Sequence, residues 1–425
     1  MAKIKLQGHA SGSGIITLTA PNTSTDRTIS LPDSTGTLLD TTSGLDATKL
    51  SGNLPALNGS SLTSVNAVNN SRKNLVINGE MQVFQRATGA TASTTTYKTA
   101  DRWMLYDNSS GAFTSERHNM SLAELNTTGH SQALALNVTT ADTSIGSSEF
   151  CFVRQMIEAQ NLQQLQYGTA AAKDLTLSFW VKSKIAGIYC VQIYKVDSPG
   201  YAIPKEYTIN NVDTWEYKTI TYTPTAGSTS FITNSGGIIN NDNGSGMQLT
   251  FGLVWGSTYQ GTNNTWTTAA KYATSNQVNW MSSTSNDFYL TGVQLETGSV
   301  ATDFEHRSYG EELALCKRYF EKQTFPGESA ITIGVADSGG GVKGDLHYSE
   351  KRAVPTVTIP SSGLNQMAFL RADANWPSTH GTFQASAIGN VSCRIRVQSG
   401  GGYVAGNASW LYNTPEKSFT FDAEL

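Results

Sequence analysis

The chain has 425 residues, of which 38% are hydrophobic and 15% are charged, and its formal net charge is -4. This length exceeds that of one ordinary domain, so two or three domains are expected. The small number of basic residues and the lack of a Lys/Arg cluster in the sequence argue against nucleic acid and anionic membranes as ligands. The longest apolar runs fall well short of the ~18 residues of a membrane helix, so no membrane insertion is expected.

Residues 1–40 contain short segments in which apolar and polar residues alternate, for example around Ile16 and Leu18 and around Ile29 and Leu31. A period of two is typical of half-buried strands. So few apolar side chains cannot form a core of their own. We therefore expect this segment to fold against partners, either copies of itself in a trimer or another protein.

Residues 41–72 carry irregularly spaced leucines, and Gly52, Pro55 and Gly59 lie among them. These three residues are incompatible with a long helix. Two interpretations fit the composition. One is a disordered linker rich in Ser, Thr and Asn, and the other is a thin stalk in which each leucine meets its symmetry mates.

Residues 73–307 show strand patterns separated by turn residues, at the spacing expected of a β-sandwich. In the segment 215–222, Trp215, Tyr217 and Thr219 share one face, while Glu216 and Lys218 share the other. The five clearest segments are 174–182, 187–194, 215–222, 247–254 and 288–295.

Residues 308–322 have the pattern of a helix that links this module to a second one. Ser308 and Glu311 form a capping-box pattern, with acidic residues in the first turn. The apolar side chains step by four, three and four and so form one stripe, which consists of Tyr309, Leu313, Cys316 and Phe320. Strand patterns with Gly-rich turns return in residues 323–425, which predicts a smaller, C-terminal β domain.

Several motifs occur in a specific order along the chain, at residues 74–79, 83–86, 99–103, 177–182, 292–296 and 311–320. In this order they resemble the jelly-roll module of phage and prophage tail fibre proteins, which is similar in shape to carbohydrate-binding modules. Residues 348–357 and 422–425 resemble the C-terminal domain that follows this module in such proteins. Residues 14–18, 28–33 and 36–38 resemble the N-termini of phage structural proteins.

The resemblance implies an all-β homotrimer in which residues 1–40 attach to a tail or baseplate protein and 41–72 form a stalk. Residues 73–307 would form the jelly roll, 308–322 the linking helix and 323–425 a receptor-binding tip. The implied protein is a tail fibre or tail-tip adhesin, made in the host cytoplasm and located in the virion tail. It would attach the virion to bacterial surface polysaccharide by non-covalent, multivalent binding.

Two alternatives to the adhesin stay open, a tailspike that depolymerises the glycan it binds and a purely structural fibre or spacer. The sequence predicts no catalytic residues, because it contains no nucleophile elbow with a triad and no phosphate loop. A glycosidase needs two carboxylates at a defined separation, which a sequence cannot show.

The sequence predicts no metal ligand pair either. The six histidines never fall at i, i+2 or i, i+4, the spacings that place two imidazoles together on one element. Asp142, Glu149 and Asp287 are candidates for a structural calcium site in the jelly roll. The alternative interpretation is that these three are ordinary solvated loop residues.

A sugar site needs exposed aromatic faces beside hydrogen-bonding side chains. The sequence offers two aromatic regions among small polar residues, 255–280 and 403–412. Trp410 and Tyr412 would share one strand face, and strand alternation alone does not decide whether that face points outward. The glycan-binding candidates are Tyr403, Trp410, Tyr412, Trp255 and Trp376.

Four further tryptophans lie in regular strand contexts or in scaffold motifs, so we predict that they pack in the core. They are Trp103, Trp180, Trp215 and Trp266.

Overall fold

A computed structural model describes residues 73–92, 96–338, 340–361, 366–370, 381–398 and 403–425. All of them fall within Val68–Leu425, the second of two units into which the chain divides. The predicted attachment segment 1–40 and stalk 41–72 lie outside the described residues. Within the described part of the chain, no helix is long and apolar enough to cross a membrane.

Twelve strands and one α-helix make up the first part of the described chain. The helix α1 is Leu122–Thr128, and Ser121 caps it through a reciprocal bond pattern with Glu124. The strands are β1 (Thr91–Ala92), β2 (Thr96–Tyr97), β3 (Met104–Asp107), β4 (Ala112–Asn119), β5 (Gln132–Thr140), β6 (Phe150–Glu158), β7 (Leu175–Ser183), β8 (Gly187–Lys195), β9 (Tyr201–Ile209), β10 (Glu216–Tyr222), β11 (Ser245–Trp255) and β12 (Asp287–Thr297).

These strands form two antiparallel sheets that pack face to face as a β-sandwich. The first sheet has the order β1-β4-β5-β12-β7-β10, and the second has the order β2-β3-β6-β11-β8-β9. Alternation explains the packing, since on β7 Leu177 and Phe179 point into the shared core while Ser178 and Trp180 point away. The predicted all-β sandwich is confirmed, and all five predicted strands are present as β7, β8, β10, β11 and β12.

A second helix, α2 (Tyr309–Lys317), follows the sandwich. Ser308 caps it, since the Ser308 side chain accepts from the backbone N–H of Glu311 and the Glu311 side chain accepts in return. The prediction of a helix over 308–322 is wrong at its C-terminal end, because Phe320 already belongs to a strand. Tyr319 and Phe320 are buried beneath two arginine side chains, and Phe320 pairs with Asp422 of another strand. These tertiary contacts override the helical pattern.

The remaining strands form two further antiparallel sheets around a separate core. The small sheet has the order β13-β21-β16, and the larger sheet has the order β17-β20-β14-β15-β19-β18. The strands are β13 (Phe320–Phe325), β14 (Ser329–Ala336), β15 (Gly341–His347), β16 (Thr356–Thr358), β17 (Met367–Leu370), β18 (Phe383–Ser386), β19 (Ser392–Gln398), β20 (Ala408–Asn413) and β21 (Lys417–Asp422).

A buried, charged junction joins this C-terminal region to the sandwich. Arg102 of the sandwich pairs with Glu424, which follows β21. The Arg318 guanidinium donates two hydrogen bonds, of 2.8 and 3.0 Å, to the Glu158 carboxylate at the end of β6. Arg352 of the C-terminal region donates to the backbone carbonyl of Asn243 in the sandwich at 3.0 Å. Charges buried at this depth need partners held in place, so the two parts meet in one defined arrangement.

Candidate functional site

A groove of about 800 Å³ crosses the outer face of the first sheet. Its floor consists of residues of β7 and β10 that alternate with core residues. The two strands pair antiparallel, so their outward side chains stand opposite each other as three cross-strand pairs. The pairs are Trp180 with Tyr217, Ser178 with Thr219, and Thr176 with Thr221.

Trp180 and Tyr217 form the aromatic end of the floor. Their ring centroids are 5.3 Å apart and the rings are inclined at 48°. Tyr217 is 45% exposed, because it lies on the outward face of β10, an edge strand of the sheet. An aromatic pair of this kind offers an apolar surface with a phenol hydroxyl at its rim.

The hydroxyl groups form the other end of the floor. Thr176 and Thr221 lie 3.2 Å apart, oxygen to oxygen, and their hydroxyls donate to the backbone carbonyls of residues 298 and 299. Among the described residues, the hydroxyls of Ser178 and Thr219 have no hydrogen-bond partner. The exposed Thr219 hydroxyl is therefore open to the groove, whereas Ser178 beside it is only 3% exposed.

Residues 298–306, which follow β12, form one wall of the groove. Glu296 holds this segment, because one carboxylate oxygen accepts from the Thr302 backbone N–H at 2.9 Å and the other from the Thr302 hydroxyl at 2.7 Å. Gln294 accepts from the backbone N–H of Glu305 at 2.8 Å. The wall is therefore fixed to the sheet by side chains of β12.

One end of the groove is closed by Glu80, His130 and His306. The Glu80 Oε1 atom lies 3.2 Å from His130 Nδ1 and 3.1 Å from His306 Nδ1. His130 and Glu80 are buried, whereas the His306 side chain is 58% exposed. Gly292 lies against the His130 ring with φ of +59°, and a Cβ there would come within 2.3 Å of His130 Nε2. Only glycine therefore leaves room for this imidazole.

A second polar cluster lies on the same face, around Glu124. Its carboxylate accepts from Lys182 at 2.7 Å, from the Trp215 ring N–H at 3.0 Å and pairs with His118 at 3.1 Å. Burial raises the pKa of Glu124, but the hydrogen bonds from Lys182 and the other donors outweigh it, so the pKa lies well below its usual range. This carboxylate is satisfied by its neighbours and fixes Trp215 in a buried position.

Trp255, a predicted glycan-binding residue, is only 2% exposed. Its ring stacks with Phe152 at a centroid distance of 5.3 Å and with Phe150 at 5.2 Å, and Tyr272 lies 4.7 Å away. These neighbours cover the indole faces, so Trp255 acts as a packing residue of the second sheet. Trp376, another of the candidates, lies outside the described residues.

The three glycan-binding candidates of the C-terminal region lie in two different environments, two on an outer sheet face and one against the core. On β20, Leu411 is buried in the core, while Trp410 and Tyr412 are half-buried on the opposite face. Trp410 stands opposite Ile333, which is 74% exposed, so this face of the larger sheet is partly apolar and open. Tyr403 packs against the core instead, and its hydroxyl donates to the carbonyl of Phe369 at 2.8 Å.

The structure does not bring the three calcium candidates together. Asp142 and Glu149 both accept hydrogen bonds from Ser110. Asp287 pairs instead with Lys184, whose Nζ lies 3.5 Å from a carboxylate oxygen. Within the described residues, these three carboxylates do not form a group spaced to share one cation.

Sequence reasoning missed the groove, although part of its signal was visible. The core prediction is confirmed for Trp103, Trp215 and Trp266, which are buried, and it is wrong for Trp180, which lies on the groove floor. The signal was the alternation within β7, where one face carries only large apolar residues and the other carries Thr176, Ser178 and Trp180. The Glu80 cluster left no local signal, because its histidines are 50 and 226 residues away along the chain.

Comparison with known proteins returned distant structural neighbours. No protein-family model matches the chain, and no curated protein matches it. The family 11 carbohydrate-binding module of Clostridium thermocellum cellulase Lic26A-Cel5E is 13% identical, with a TM-score of 0.25 over 51% of this chain and 99% of the module. The enzymatically active domain of tailspike protein 4 from bacteriophage CBA120 is 12% identical, with a TM-score of 0.27 over 53% of this chain and 21% of the tailspike chain. At these values no residue role is carried over.

Proposed function

We propose that the chain is a glycan-binding attachment protein that holds a bacterial surface polysaccharide in the groove of the first sheet. The observation that carries the proposal is the groove floor, where an aromatic pair stands beside two hydroxyls without partners. A pyranose ring has an apolar C–H face and a rim of hydroxyls. Trp180 and Tyr217 match the first, and Ser178 and Thr219 match the second.

The size and openness of the groove fit a short stretch of a longer glycan. Its volume of about 800 Å³ lies within the range of roughly 300–1,000 Å³ for ligand sites. The floor runs along β7 and β10, and β10 is an edge strand, so a polymer can reach the floor from the edge of the sheet. The groove therefore suits binding to a chain of sugars more than to a small free ligand.

The proposed action is binding without cleavage. A glycosidase places two carboxyl groups on either side of the scissile bond. Among the described residues that line the groove, Asp303 is the one carboxylate. The rest of the wall offers backbone groups, the Thr302 hydroxyl and the His306 imidazole, so the described lining of the groove carries no second carboxyl group to complete a glycosidase pair.

The wider proposal is a phage tail fibre, and its support is the sequence resemblance. In it the chain forms a homotrimer in the virion tail, residues 1–40 attach to a tail or baseplate protein, and 41–72 form a stalk. Three grooves per trimer and several trimers per virion raise the avidity by roughly 10²–10⁴ without any new contact. The face that carries Trp410 and Tyr412 is a second place where the C-terminal region can contact the host.

The test is binding of the full chain to an array of bacterial surface polysaccharides, with alanine variants. We expect Tyr217→Ala and Trp180→Ala to weaken binding by roughly 10- to 100-fold, the cost of losing a central aromatic contact. Tyr309→Ala is the matched control, since Tyr309 is 55% exposed, against 45% for Tyr217, but lies on α2, outside the groove. Melting temperatures show that each variant is folded.

Two outcomes contradict the proposal. One is that the full chain binds no glycan on the array. The other is that the two groove variants bind as tightly as the Tyr309 variant. If Trp410→Ala loses binding while Tyr217→Ala keeps it, the glycan is read by the C-terminal face and the groove assignment is wrong.

A further inference from the structure

Glu80, His130 and His306 bring three ligand atoms to one point at the end of the groove. The ligand atoms of the three side chains all lie within 4.8 Å of one another. Each residue comes from a different part of the fold. Glu80 lies in the turn before β1, His130 follows α1, and His306 ends the wall segment, so the tertiary structure alone assembles the cluster.

The spacing matches the coordination shell of a small divalent metal ion. In a tetrahedral zinc site, metal–ligand bonds of about 2.0–2.1 Å place neighbouring ligand atoms roughly 3.3 Å apart. Glu80 Oε1 lies 3.2 and 3.1 Å from the two Nδ1 atoms. Two of the three distances between ligand atoms thus match this spacing, and the third, between the imidazoles, is within 4.8 Å.

The charge of the cluster also points to a cation. Glu80 is buried, and among the described residues its ion-pair partners are the two imidazoles alone. A buried carboxylate needs a neutralising partner. A divalent ion bound by the three side chains would supply that partner.

The surroundings hold the three side chains in place, as an outer shell does in metal sites. The Gln82 side chain donates to the second carboxylate oxygen of Glu80. The Phe304 ring packs edge-on against both imidazoles, at centroid distances of 4.8 Å to His130 and 5.0 Å to His306. The cluster thus has a polar support on one side and an apolar wall on another.

We propose that Glu80, His130 and His306 bind one divalent ion of the zinc class. Two imidazole nitrogens and one carboxylate oxygen suit Zn²⁺, Co²⁺ or Ni²⁺, whereas Ca²⁺ and Mg²⁺ prefer oxygen ligands. Three protein ligands leave a fourth position for water. Because His306 ends the wall segment, the ion also ties the groove wall to the sheet. Metal binding needs no glycan and does not depend on the proposed function.

The experiment is a titration of the untagged full chain, first stripped with a chelator, with Zn²⁺ and separately with Co²⁺. We expect one ion per chain by calorimetry, and visible absorption bands of tetrahedral Co²⁺ that Zn²⁺ displaces. His306→Ala removes one of three ligands from an exposed position, so it should weaken binding by more than the ~10- to 100-fold typical of losing an outer-shell partner. His347→Ala is the matched control, because His347 is an exposed histidine on β15.

Specific results overturn the proposal. Absence of Zn²⁺ binding at micromolar concentration does so, and so does a Co²⁺ complex without tetrahedral bands. If His306→Ala binds Zn²⁺ as tightly as the parent, the ion lies elsewhere and the proposal is also wrong. Glu80→Gln keeps the size of the side chain and removes its charge. If that variant is folded and binds Zn²⁺ as tightly as the parent, the carboxylate is not a ligand and the site is not the one proposed.

Discussion

The ion pair between Arg102 and Glu424 gives the sharpest test of how the C-terminal region is held to the sandwich. Arg102 is 1% exposed and Glu424 is nearly as buried. The guanidinium carbon lies 3.4 Å from the centroid of the Tyr319 ring, and Nη2 donates to the carbonyl of Met156 at 2.6 Å. Burial lowers the pKa of Arg102, but the Glu424 carboxylate and other neighbours outweigh it and raise that pKa overall.

The perturbation is Glu424→Ala. It leaves the Arg102 guanidinium buried with one neutral carbonyl and one aromatic face as its remaining partners. Breaking a buried pair in this way costs about 3–5 kcal/mol of unfolding free energy, because the remaining charge is uncompensated. The backbone contacts of the segment persist, since Arg352 still bonds to the carbonyl of residue 424. The predicted loss therefore reports on the carboxylate and not on detachment of the chain end.

The assay is denaturant unfolding followed by circular dichroism, together with calorimetry. Glu416→Ala, an exposed change of the same type eight residues earlier, is the control and should stay within about 0.5 kcal/mol of the parent. We expect calorimetry of Glu424→Ala to show the C-terminal region melting before the sandwich. If Glu424→Ala matches the Glu416 variant in both measurements, the buried pair does not stabilise the junction and the reasoning is wrong.

Two further predictions concern acid stability and assembly. Burial raises the pKa of Glu158, but the hydrogen bonds from Arg318 outweigh it and hold the pKa below its usual value. The unfolded chain, with a Glu pKa of about 4.3, then takes up the proton first, so stability present above that pH is lost as the pH falls. The unfolding free energy should decline from pH 6 to pH 3, and the decline should be smaller in Arg318→Met. Equal slopes in the parent and the variant contradict this prediction. Light scattering of the full chain should give a trimer, and a monomer at micromolar concentration contradicts the proposed fibre.

The strands of the sandwich could be predicted because their local pattern and their burial agree. On β7 and β11, and on β12 to either side of Gly292, the apolar positions recur with the period of a strand, and the same positions fill the core. The helix α2 was predicted from its cap for the same reason, since capping is a local interaction. Its end was mispredicted because Phe320 pairs with Asp422, about a hundred residues later, and such pairing leaves no local trace.

The candidate site was less predictable because exposure depends on what packs above each residue. Trp255 lies in a segment rich in small polar residues, which favoured an exposed binding residue, yet aromatic side chains from β6 cover it. Trp180 lies in a regular strand, which favoured the core, yet the sheet turns it outward. The exposure of these two tryptophans was thus mispredicted in opposite directions, because it depends on contacts with other strands.

The groove wall depends on one irregularity in β12 that the sequence does show. Leu290 faces the core, and strict alternation would turn Gln294 and Glu296 inward as well. A bulge between Thr291 and Gln294 adds one residue and reverses the faces, so Gln294 and Glu296 stand outward opposite Ser178 and Thr176. Gly292, at φ of +59°, lies within this bulge. The change of phase in the apolar pattern, centred on that glycine, is therefore what allows β12 to carry the wall and to make room for His130.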